Sequence, residues 1–388
     1  MYLTYLNHYD IRQCEAQYLW VLHEILGRGL KTHFIINEDY IKRCKDRHRW
    51  EVPLAEKTWG KIDDILKDFI PENYTIMKKP EELIKHTGRF IPSQMLHETV
   101  NGYIPTQKEV IEKVLKEKKI KAGVTWVNNR CFKEVLESYK IPVFHHELGP
   151  FRSETYIPTV YLDFSGVNGN TEFNKRFKEF LRIEGSVPIL SKEKLIKIIS
   201  PNHWHELIAV LNKKDYEYEA GVGLQVEVDT NLLLFNDGVN WVDPILAAQA
   251  ENSGKILVRR HPASCYTITP NTVRIVADDL KKNTPYDFIS KCKKIYCLNS
   301  SIGLEAMMLG REGKIYGDSP FREICRMDSE TQLKALNFVV FGYLTHRDLL
   351  FNDEYYTFRL KARGDEKLIY LDNMRRLIKA SQNGGKIK

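Results

Sequence analysis

Residues 294–310, KIYCLNSSIGLEAMMLG, constrain the fold of this chain more than any other stretch. Residues 295–298 form a short apolar run with β-branched and aromatic members, which predicts a strand. Residues 302–309 are apolar around nearly the whole circumference of a helix, which predicts that the helix is buried. A strand, a tight turn and a buried helix in succession are typical of an α/β fold.

The turn between this strand and this helix has the composition of an anion site. Asn299, Ser300 and Ser301 can cap the helix, whose backbone N–H groups and positive dipole end favour a phosphate. Glu305 is the one charged residue of the predicted helix. A buried carboxylate needs polar partners, and a ribose diol would serve. A capped core helix in which Glu305 pairs with an arginine is the alternative interpretation.

Composition favours two globular domains in a reducing compartment. The chain has 388 residues, 43% of them hydrophobic, and its net charge of +7 comes from basic residues spread along the sequence. Such a distribution argues against nucleic acid as the partner. Seven cysteines without a CxxC pair predict free thiols. With no secretory leader and no stretch near the ~18 apolar residues of a membrane span, we expect a cytoplasmic protein with at most peripheral membrane contact.

The same α/β rhythm runs through most of the chain. It predicts strands at 2–6, 32–36, 123–127, 141–144, 221–228, 255–259, 272–276, 295–298 and 315–317. It predicts helices at 12–26, 107–118, 131–139, 171–182, 191–211, 242–253, 285–292, 302–309 and about 367–380. Residues 148–172 read as loop, and the polar run 212–219 as a boundary between domains. We therefore expect a GT-B-like fold, with two Rossmann-like doubly wound domains at 1–212 and 213–388 facing a central cleft.

Ligands of such sheets bind beyond the carboxyl ends of the strands, and the residues found there are polar. They are Asn7 and His8, His146 and Glu147, Asp229, His261, and Ser300 and Ser301. Arg259 and Arg260 directly precede His261, and either could face a phosphate. Two carboxylates, an imidazole, arginines and a hydroxyl-lined turn suit transfer from a nucleotide-activated donor, because the departing phosphate needs positive partners and a carboxylate can act as base or nucleophile.

Other cofactors find less support. Glu227 and Asp229 form an acidic-x-acidic pattern that could hold a divalent metal, and His145 to Glu147 could also suggest one, but no second histidine cluster has zinc-ligand spacing. Gly221 and Gly223 lack the third glycine of a dinucleotide fingerprint, and no GxxxxGK[ST] loop is present. We therefore expect no cofactor and no metal, with the donor as a substrate.

Several motifs resemble bacterial retaining β-Kdo transferases, which use CMP-Kdo in a GT-B-like fold to build capsule and O-antigen glycans. These motifs are HELGPFRS (146–153), YLDFSGVNGN (161–170), QVEVD (225–229), RRHP (259–262), NSSIGLEAMMLG (299–310) and YGDSPF (316–321). The acidic, HP and Ser-pair motifs also occur, more loosely, in bacterial sialyltransferases, which share the CMP-activated donor.

The resemblance implies roles for individual residues. Asp229 would be the nucleophile of a covalent intermediate, Glu147 an acid/base or a substrate-orienting carboxylate, and His261 a partner of the CMP phosphate. The CMP-binding set would be His261, Arg260, Asn299, Ser300, Ser301 and Glu305, and the sugar-binding set Gln225, Asn168, Arg152 and His146. Residues 1–212 would then be the acceptor side, contributing Glu147, and residues 213–388 the CMP-sugar side.

Two further functions remain open at this stage. An inverting, sialyltransferase-like enzyme would use Glu147 or Asp229 only as a base, and a non-catalytic domain would bind a nucleotide sugar or glycan without turnover. The acceptor expected for the transferase is a surface glycan, and whether it is lipid-linked is open. The basic C-terminal helix, with Arg375, Arg376 and Lys379, could touch the inner membrane or simply be a solvated face.

Overall fold

The computed structural model describes residues 1–6, 16, 18–77, 104–226, 229–264 and 274–387, apart from the side chains of residues 104, 105, 184 and 230. Its strands, in chain order, are β1 (Tyr2–Tyr5), β2 (Thr32–Ile36), β3 (Tyr74–Ile76), β4 (Ala122–Trp126), β5 (Val143–Leu148), β6 (Thr159–Asp163), β7 (Tyr218–Gly223), β8 (Ile256–Arg259), β9 (Ile275–Ala277), β10 (Cys292–Cys297), β11 (Glu312–Ile315) and β12 (Leu344–His346).

Its α-helices, in chain order, are α1 (Leu19–Gly27), α2 (Glu38–Arg43), α3 (Glu51–Trp59), α4 (Ile62–Ile65), α5 (Ile104–Glu117), α6 (Arg130–Ser138), α7 (Phe173–Arg182), α8 (Lys192–Ile199), α9 (Trp204–Asn212), α10 (Thr230–Leu234), α11 (Asp243–Glu251), α12 (Pro285–Lys291), α13 (Ile302–Met308), α14 (Ser329–Asn337), α15 (Asp353–Lys361) and α16 (Glu366–Gln382). A π-helical segment, Phe338–Tyr343, follows α14. The predicted helix at 12–26 lies partly outside the described residues, and its described part is α1.

Packing divides the chain into two compact units. The first consists of Met1–Glu147, Leu162–Val167 and Leu349–Lys361, and the second of Leu148–Tyr161, Asn168–Asp348 and Ala362–Lys388. The predicted domain boundary at residues 212 and 213 does not coincide with this division, because residues 148–161 and 168–212 pack with the segment that follows them. The functional division into an acceptor side and a donor side stays a prediction.

Each unit contains a parallel sheet. In the first unit the strand order is β5-β4-β1-β2-β3, with β1 paired to both β2 and β4. In the second unit the order is β11-β10-β7-β8-β9, and every pair is parallel. The second unit also holds an antiparallel pair, β12 with β6. The predicted α/β class with two Rossmann-like parallel sheets is confirmed.

Two glycines of β7 let helices lie close to the second sheet. A Cβ on Gly223 would lie 2.7 Å from Ile302 Cγ2 at the start of α13, and a Cβ on Gly221 would lie 2.9 Å from Phe288 Cζ of α12. Both distances are too short for a real Cβ contact, so glycine is required at each position. These glycines serve helix–strand packing, and they bring the start of α13 against the end of β7.

The first of three differences from the sequence-based elements concerns β5, which extends to Leu148. His145, His146 and Glu147 therefore lie within this strand rather than after it. Thr125 and Trp126 of β4 pair with His145 and His146, and both histidine rings are buried. Burial with a hydrogen-bond partner makes a polar residue acceptable inside a strand.

The second difference is β6, which falls within the stretch predicted to be loop. Its residues Val160, Tyr161 and Leu162 are all buried. A short buried run between glycine-containing loops gives a weak periodic signal, and for that reason the prediction missed it.

The third difference concerns β7 and the helix predicted at 191–211. Strand β7 ends at Gly223, and farther along the chain the Asp229 backbone N–H donates to Val226 O at 3.0 Å. The predicted helix is two helices, α8 and α9. Pro201 lies between them, and because it lacks an N–H donor it cannot continue a helix.

Candidate active site

Three segments that carry predicted site residues leave neighbouring strands at one edge of the second sheet. The register aligns Cys297 of β10 with Gly223 of β7, and Gly223 with Arg259 of β8. Each of these residues ends its strand. The loop carrying Gln225, the loop carrying His261 and the turn carrying Asn299 therefore begin side by side at the carboxyl edge, where ligands of open α/β sheets bind.

Asn299 is the hydrogen-bonding centre of this edge. Its Oδ1 accepts from Gln225 Nε2 at 2.8 Å, and its backbone N–H donates to Gln225 Oε1 at 3.2 Å. Its Nδ2 donates to the backbone O of Asn231 and of Phe235, both at 3.0 Å. Asn299 is 6% exposed. Its side chain thus joins the Gln225 loop to both ends of the short helix α10. The nucleotide contact that the resemblance implies for Asn299 stays a prediction.

Asp229 is the N-cap of α10. Its Oδ1 accepts from the Asn231 backbone N–H at 2.8 Å, and the residue is exposed. The prediction of a strand up to residue 228, with Asp229 directly after it, is wrong, because β7 ends at Gly223 and Asp229 instead caps a helix, a position that aspartate favours strongly. The bond to the Asn231 N–H orients the Asp229 carboxylate, and Asn299 anchors α10 through its bonds to the backbone of Asn231 and Phe235.

Ser300 and Ser301 lie between β10 and α13, as predicted. Ser300 Oγ accepts from the Ile302 backbone N–H at 3.4 Å, and Ser301 is the N-cap without a side-chain cap bond. Both serines are half-buried. The predicted capping is therefore partial, and it comes from Ser300.

Glu305, on the first turn of α13, has Tyr156 as its hydroxyl partner. The Tyr156 hydroxyl donates to Glu305 Oε2 at 3.2 Å. Burial raises the pKa of Glu305 to about 7, against the lowering effects of the Tyr156 hydrogen bond and of the charges of Arg152 and Arg259. Burial beside Glu305 also raises the pKa of Tyr156 well above its ordinary value. The alternative in which Glu305 reaches an arginine directly is replaced by this tyrosine pair.

The loop that carries Asn168 lies against the residues that surround α10. A Cβ on Gly169 would lie 2.2 Å from Phe235 Cδ1 and 2.5 Å from Asp318 Oδ2, so only glycine fits. Asn168 has a φ of 67°, a left-handed conformation that asparagine tolerates better than most residues. The backbone N–H of Asp318 donates to Phe235 O at 2.8 Å.

Asp318 lies beside this loop, and its sequence motif predicted no role for it. Burial raises the pKa of its carboxyl group, while the nearby Arg322 and a hydrogen bond from the Asn170 backbone act in the opposite direction. The YGDSPF motif contains Asp318, so the signal was present. Its contact with Gly169 could not be read from sequence, because the two residues are far apart along the chain.

The two arginines of the RRHP segment, Arg259 and Arg260, differ in burial. Arg259 is tied to the buried carboxylate of Asp278 and donates to Asn283 O at 3.1 Å. Of the two arginines predicted to face a phosphate, Arg259 is thus committed to a structural pair, whereas Arg260 is exposed.

His261 follows the two arginines and is exposed as well. Its Nδ1 accepts from the Ala263 backbone N–H at 3.1 Å. A neutral ring held in this way carries its proton on Nε2, where it can donate to an anion.

Glu147 and His146 belong to the first unit. Glu147 is half-buried near the end of β5. His146 is fully buried, and its Nε2 lies 2.6 Å from the Tyr356 hydroxyl, with the two rings stacked. This arrangement favours a structural role for His146, and its predicted contact with substrate gains no support from it.

The described part of the chain shows no group of three or more His, Cys, Asp or Glu side chains that could hold a metal ion. Glu227, one half of the acidic-x-acidic pattern, lies outside it. None of the helices described there is long and apolar enough to span a bilayer.

Comparison with known structures gives distant similarities. The KpsC β-Kdo 2,7 transferase of Thermosulfurimonas dismutans is 17% identical, with a TM-score of 0.40 over 62% of this chain and 82% of that one. The β-Kdo 2,4 transferase of the same KpsC has 17% identity and a TM-score of 0.38 over 56% and 79%. The UDP-GlcNAc 2-epimerase of Methanocaldococcus jannaschii has 13% identity and a TM-score of 0.29 over 87% and 92%. No curated protein matches significantly.

The family comparison is more specific. The model of the glycosyltransferase 99 family N-terminal domain matches residues 73–172. This range contains HELGPFRS and YLDFSGVNGN, two of the motifs on which the resemblance rests, and it extends the similarity toward the N-terminus. The resemblance to a glycosyltransferase family is therefore confirmed over residues 73–172, which are similar to the N-terminal domain of the glycosyltransferase 99 family.

Proposed function

We propose that this protein transfers Kdo from CMP-Kdo to a hydroxyl group of a surface glycan, with retention of the anomeric configuration. The observation that carries the proposal is the placement of Asp229. Its carboxylate is exposed and fixed by the α10 cap, beside the carboxyl edge of a parallel sheet from which the RRHP and NSS segments also emerge. The family match and the motifs beyond residue 172 supply the reaction class.

Two displacements at one carbon give retention. In the first, an Asp229 carboxylate oxygen attacks the anomeric carbon of Kdo, the bond from that carbon to the phosphate oxygen breaks, and CMP leaves. In the second, the acceptor hydroxyl oxygen attacks the same carbon, its proton passes to the Glu147 carboxylate, and the bond to Asp229 breaks. Each step inverts the carbon, so the product has the configuration of the donor.

Asp229 can act as nucleophile while it caps α10. Among the described residues its cap bond uses Oδ1 alone, which leaves Oδ2 to attack. The helix holds the carboxylate in one orientation, and Asn299 holds the helix. Such support reduces the reorganisation needed before the reaction.

The donor would be bound by positive and hydroxyl groups of the second unit. His261 Nε2 and Arg260 would contact the phosphate, with Ser300 and Ser301 as further donors. Glu305 would bind the ribose diol, and its raised pKa lets it act as donor or acceptor near neutral pH. Gln225 bonds Asn299 through both ends of its amide, so we assign it to support of the Asp229 loop.

The sugar would contact the remaining residues of the predicted set. Arg152 is exposed, and its positive charge would complement the Kdo carboxylate. Asn168 would offer its side-chain amide to the sugar, from a loop that packs closely because its next residue, Gly169, has no side chain. For His146 we propose an indirect role, because its ring is fully buried. CMP-Kdo and a glycan are the proposed partners, without a metal or other cofactor.

A transfer assay tests this proposal. Purified protein, a glycan acceptor and one donor at a time (CMP-Kdo, CMP-sialic acid or UDP-GlcNAc) would be followed by nucleotide release and by NMR of the product. The proposal predicts release of CMP from CMP-Kdo and a β-Kdo linkage. A product of inverted configuration from CMP-sialic acid would assign the protein to the inverting class, and binding of CMP with no turnover would make it a binding domain.

A further inference from the structure

The C-terminal helix α16 is fixed to the second unit by one face. Asn373 Nδ2 donates to Phe341 O at 2.9 Å, and the Tyr370 hydroxyl donates to Pro188 O at 2.7 Å. Ile369 and Leu377 are buried on the same side. The helix also has a defined start, because Asp365 accepts from the Leu368 backbone N–H. Its orientation is therefore set, and its opposite face points away from the unit.

This opposite face, which we term the outer face of α16, is apolar and exposed. Leu368 is 46% and Leu371 37% exposed, whereas Met374 and Ile378 are half-buried. A shallow depression of about 400 Å³ lies on this face, and its lining residues are Leu371, Met374, Arg375, Ile378, Lys379 and Gln382. Large apolar side chains in a row at helical spacing on a surface mark a contact with a partner or a membrane.

The charges along the outer face are mainly positive. Arg375 and Arg376 share one carboxylate, that of Asp372, with bonds of 2.8 and 2.7 Å. Lys367 and Lys379 flank the apolar row and are exposed. The other acidic residue of the helix, Glu366, is buried in a pair with Arg176 and so does not offset the charge of the outer face. One shared carboxylate leaves a positive surplus.

The positive charge and the apolar side chains of the outer face together indicate which kind of partner it binds. A second copy docked symmetrically through this face would bring the basic residues of the two chains together, which is unfavourable. A nucleic acid would use the basic residues but would leave the leucines in water. An anionic lipid bilayer satisfies both, because acyl chains take up the apolar side chains while headgroup phosphates meet the basic flanks.

We propose that the outer face of α16 is a peripheral binding surface for anionic membranes. Leu368 and Leu371 would enter the region between headgroups and acyl chains, with Lys367, Arg375 and Lys379 at the phosphate level. The surface lies on a helix to which the proposed transferase chemistry assigns no role. The inference therefore stands whether or not the protein transfers Kdo.

Co-sedimentation of the full chain with vesicles tests the proposal. The vesicles are phosphatidylcholine alone, or phosphatidylcholine mixed with phosphatidylglycerol, each at low and high salt. The chain is expected to sediment with the mixed vesicles at low salt and to be released at high salt, because salt screens the attraction to the surface. Replacement of both Leu368→Ser and Leu371→Ser should weaken the partition coefficient by roughly tenfold or more, since two apolar side chains leave the bilayer.

A matched variant separates this surface from general hydrophobicity. Leu54 lies on α3 of the first unit with 45% exposure, nearly that of Leu368, so Leu54→Ser should leave vesicle binding unchanged. Equal binding to both kinds of vesicle, or an unchanged partition coefficient in the double variant, would overturn the proposal. If the double variant instead converted a dimer to a monomer in analytical ultracentrifugation, the outer face would belong to a second copy, which would overturn it too.

Discussion

Gln225 and Asn299 hold each other through two hydrogen bonds, one between their side chains at 2.8 Å and one from the Asn299 backbone N–H to Gln225 Oε1 at 3.2 Å. The pair joins the loop after β7 to the turn after β10. Asn299 also holds both ends of α10, the helix that Asp229 caps. Support for the proposed nucleophile thus comes from a residue placed at the end of another strand.

Replacement of Asn299 should therefore reduce transfer more than donor binding. In Asn299→Ala the α10 helix loses its bonds to this side chain and Gln225 keeps only the bond from the backbone N–H, so we expect kcat to fall by roughly tenfold to a hundredfold, with a smaller change in the Kd for CMP. The loss of buried hydrogen bonds should also lower the free energy of unfolding by roughly 1–3 kcal/mol. Steady-state kinetics, CMP titration and denaturant unfolding measure the three quantities.

Asn236→Ala is the matched control for Asn299→Ala. Asn236 is near the end of α10 but is half-buried, and its side-chain bonds are local: it accepts from the Gly238 backbone N–H at 2.9 Å and donates to Leu233 O at 3.4 Å. Its replacement should leave kcat nearly unchanged. Equal losses of kcat and of CMP affinity in Asn299→Ala would contradict the supporting role and favour the nucleotide contact that the resemblance implies.

The Glu305 carboxyl group should make stability depend on pH. Burial raises its pKa from 4.5 to about 7, so between these values the folded protein binds more protons than the unfolded one. The contribution of this group is full below pH 4.5 and is lost as the pH rises through about 7. Glu305→Gln keeps a neutral side chain at every pH, so the Tm of the variant minus that of wild type should increase as the pH rises. A difference independent of pH would contradict the raised pKa.

Removal of the Tyr156 hydroxyl should move this pH dependence. The hydrogen bond from Tyr156 lowers the pKa of Glu305, so Tyr156→Phe should raise that pKa further and shift the pH-dependent loss of stability to higher pH. The midpoint is read from Tm curves of Tyr156→Phe against Tyr156→Phe with Glu305→Gln. A midpoint unchanged from wild type would show that the hydroxyl does not act on this carboxyl group.

Gly169 should not tolerate a side chain. An added Cβ would overlap Phe235 and Asp318, so Gly169→Ala should cost about 1–3 kcal/mol of stability and displace the loop that carries Asn168. Gly185→Ala is the control, because a Cβ there meets nothing within 4 Å. Urea unfolding compares the two variants. Equal stability of both would mean that the loop does not pack against Phe235 as described.

Local patterns predicted the elements whose signal is contained in a short stretch. The strand–turn–helix unit of β10 and α13, strand β2 and the paired parallel sheets all follow from apolar periodicity. The break between α8 and α9 was missed, although Pro201, which cannot continue a helix, marked it in the sequence. Predictions failed where polar residues are buried or cap a helix. His145 and His146 were placed after a strand but lie inside β5, and Asp229 was placed after a strand but caps α10.

The hydrogen-bond partners of the candidate site were harder to predict from the sequence than the sheets were. Its residue types were recognised, but the partners of Asn299 lie more than sixty residues away in sequence. Tyr156 is likewise 149 residues from Glu305. Side-chain bonds of this range depend on tertiary packing, which periodicity does not encode. The supporting residues therefore emerged only from the structure.

The proposed covalent intermediate on Asp229 is tested most directly by the intact mass of the protein after incubation with CMP-Kdo in the absence of acceptor. Asp229→Asn is the decisive variant, because asparagine caps a helix as well as aspartate but cannot form the glycosyl ester. The covalent mechanism predicts an increment of one Kdo residue on the wild-type chain, located on Asp229 by peptide mapping, and none on the variant. An increment of equal size on Asp229→Asn, or rapid transfer to acceptor by that variant, would contradict it.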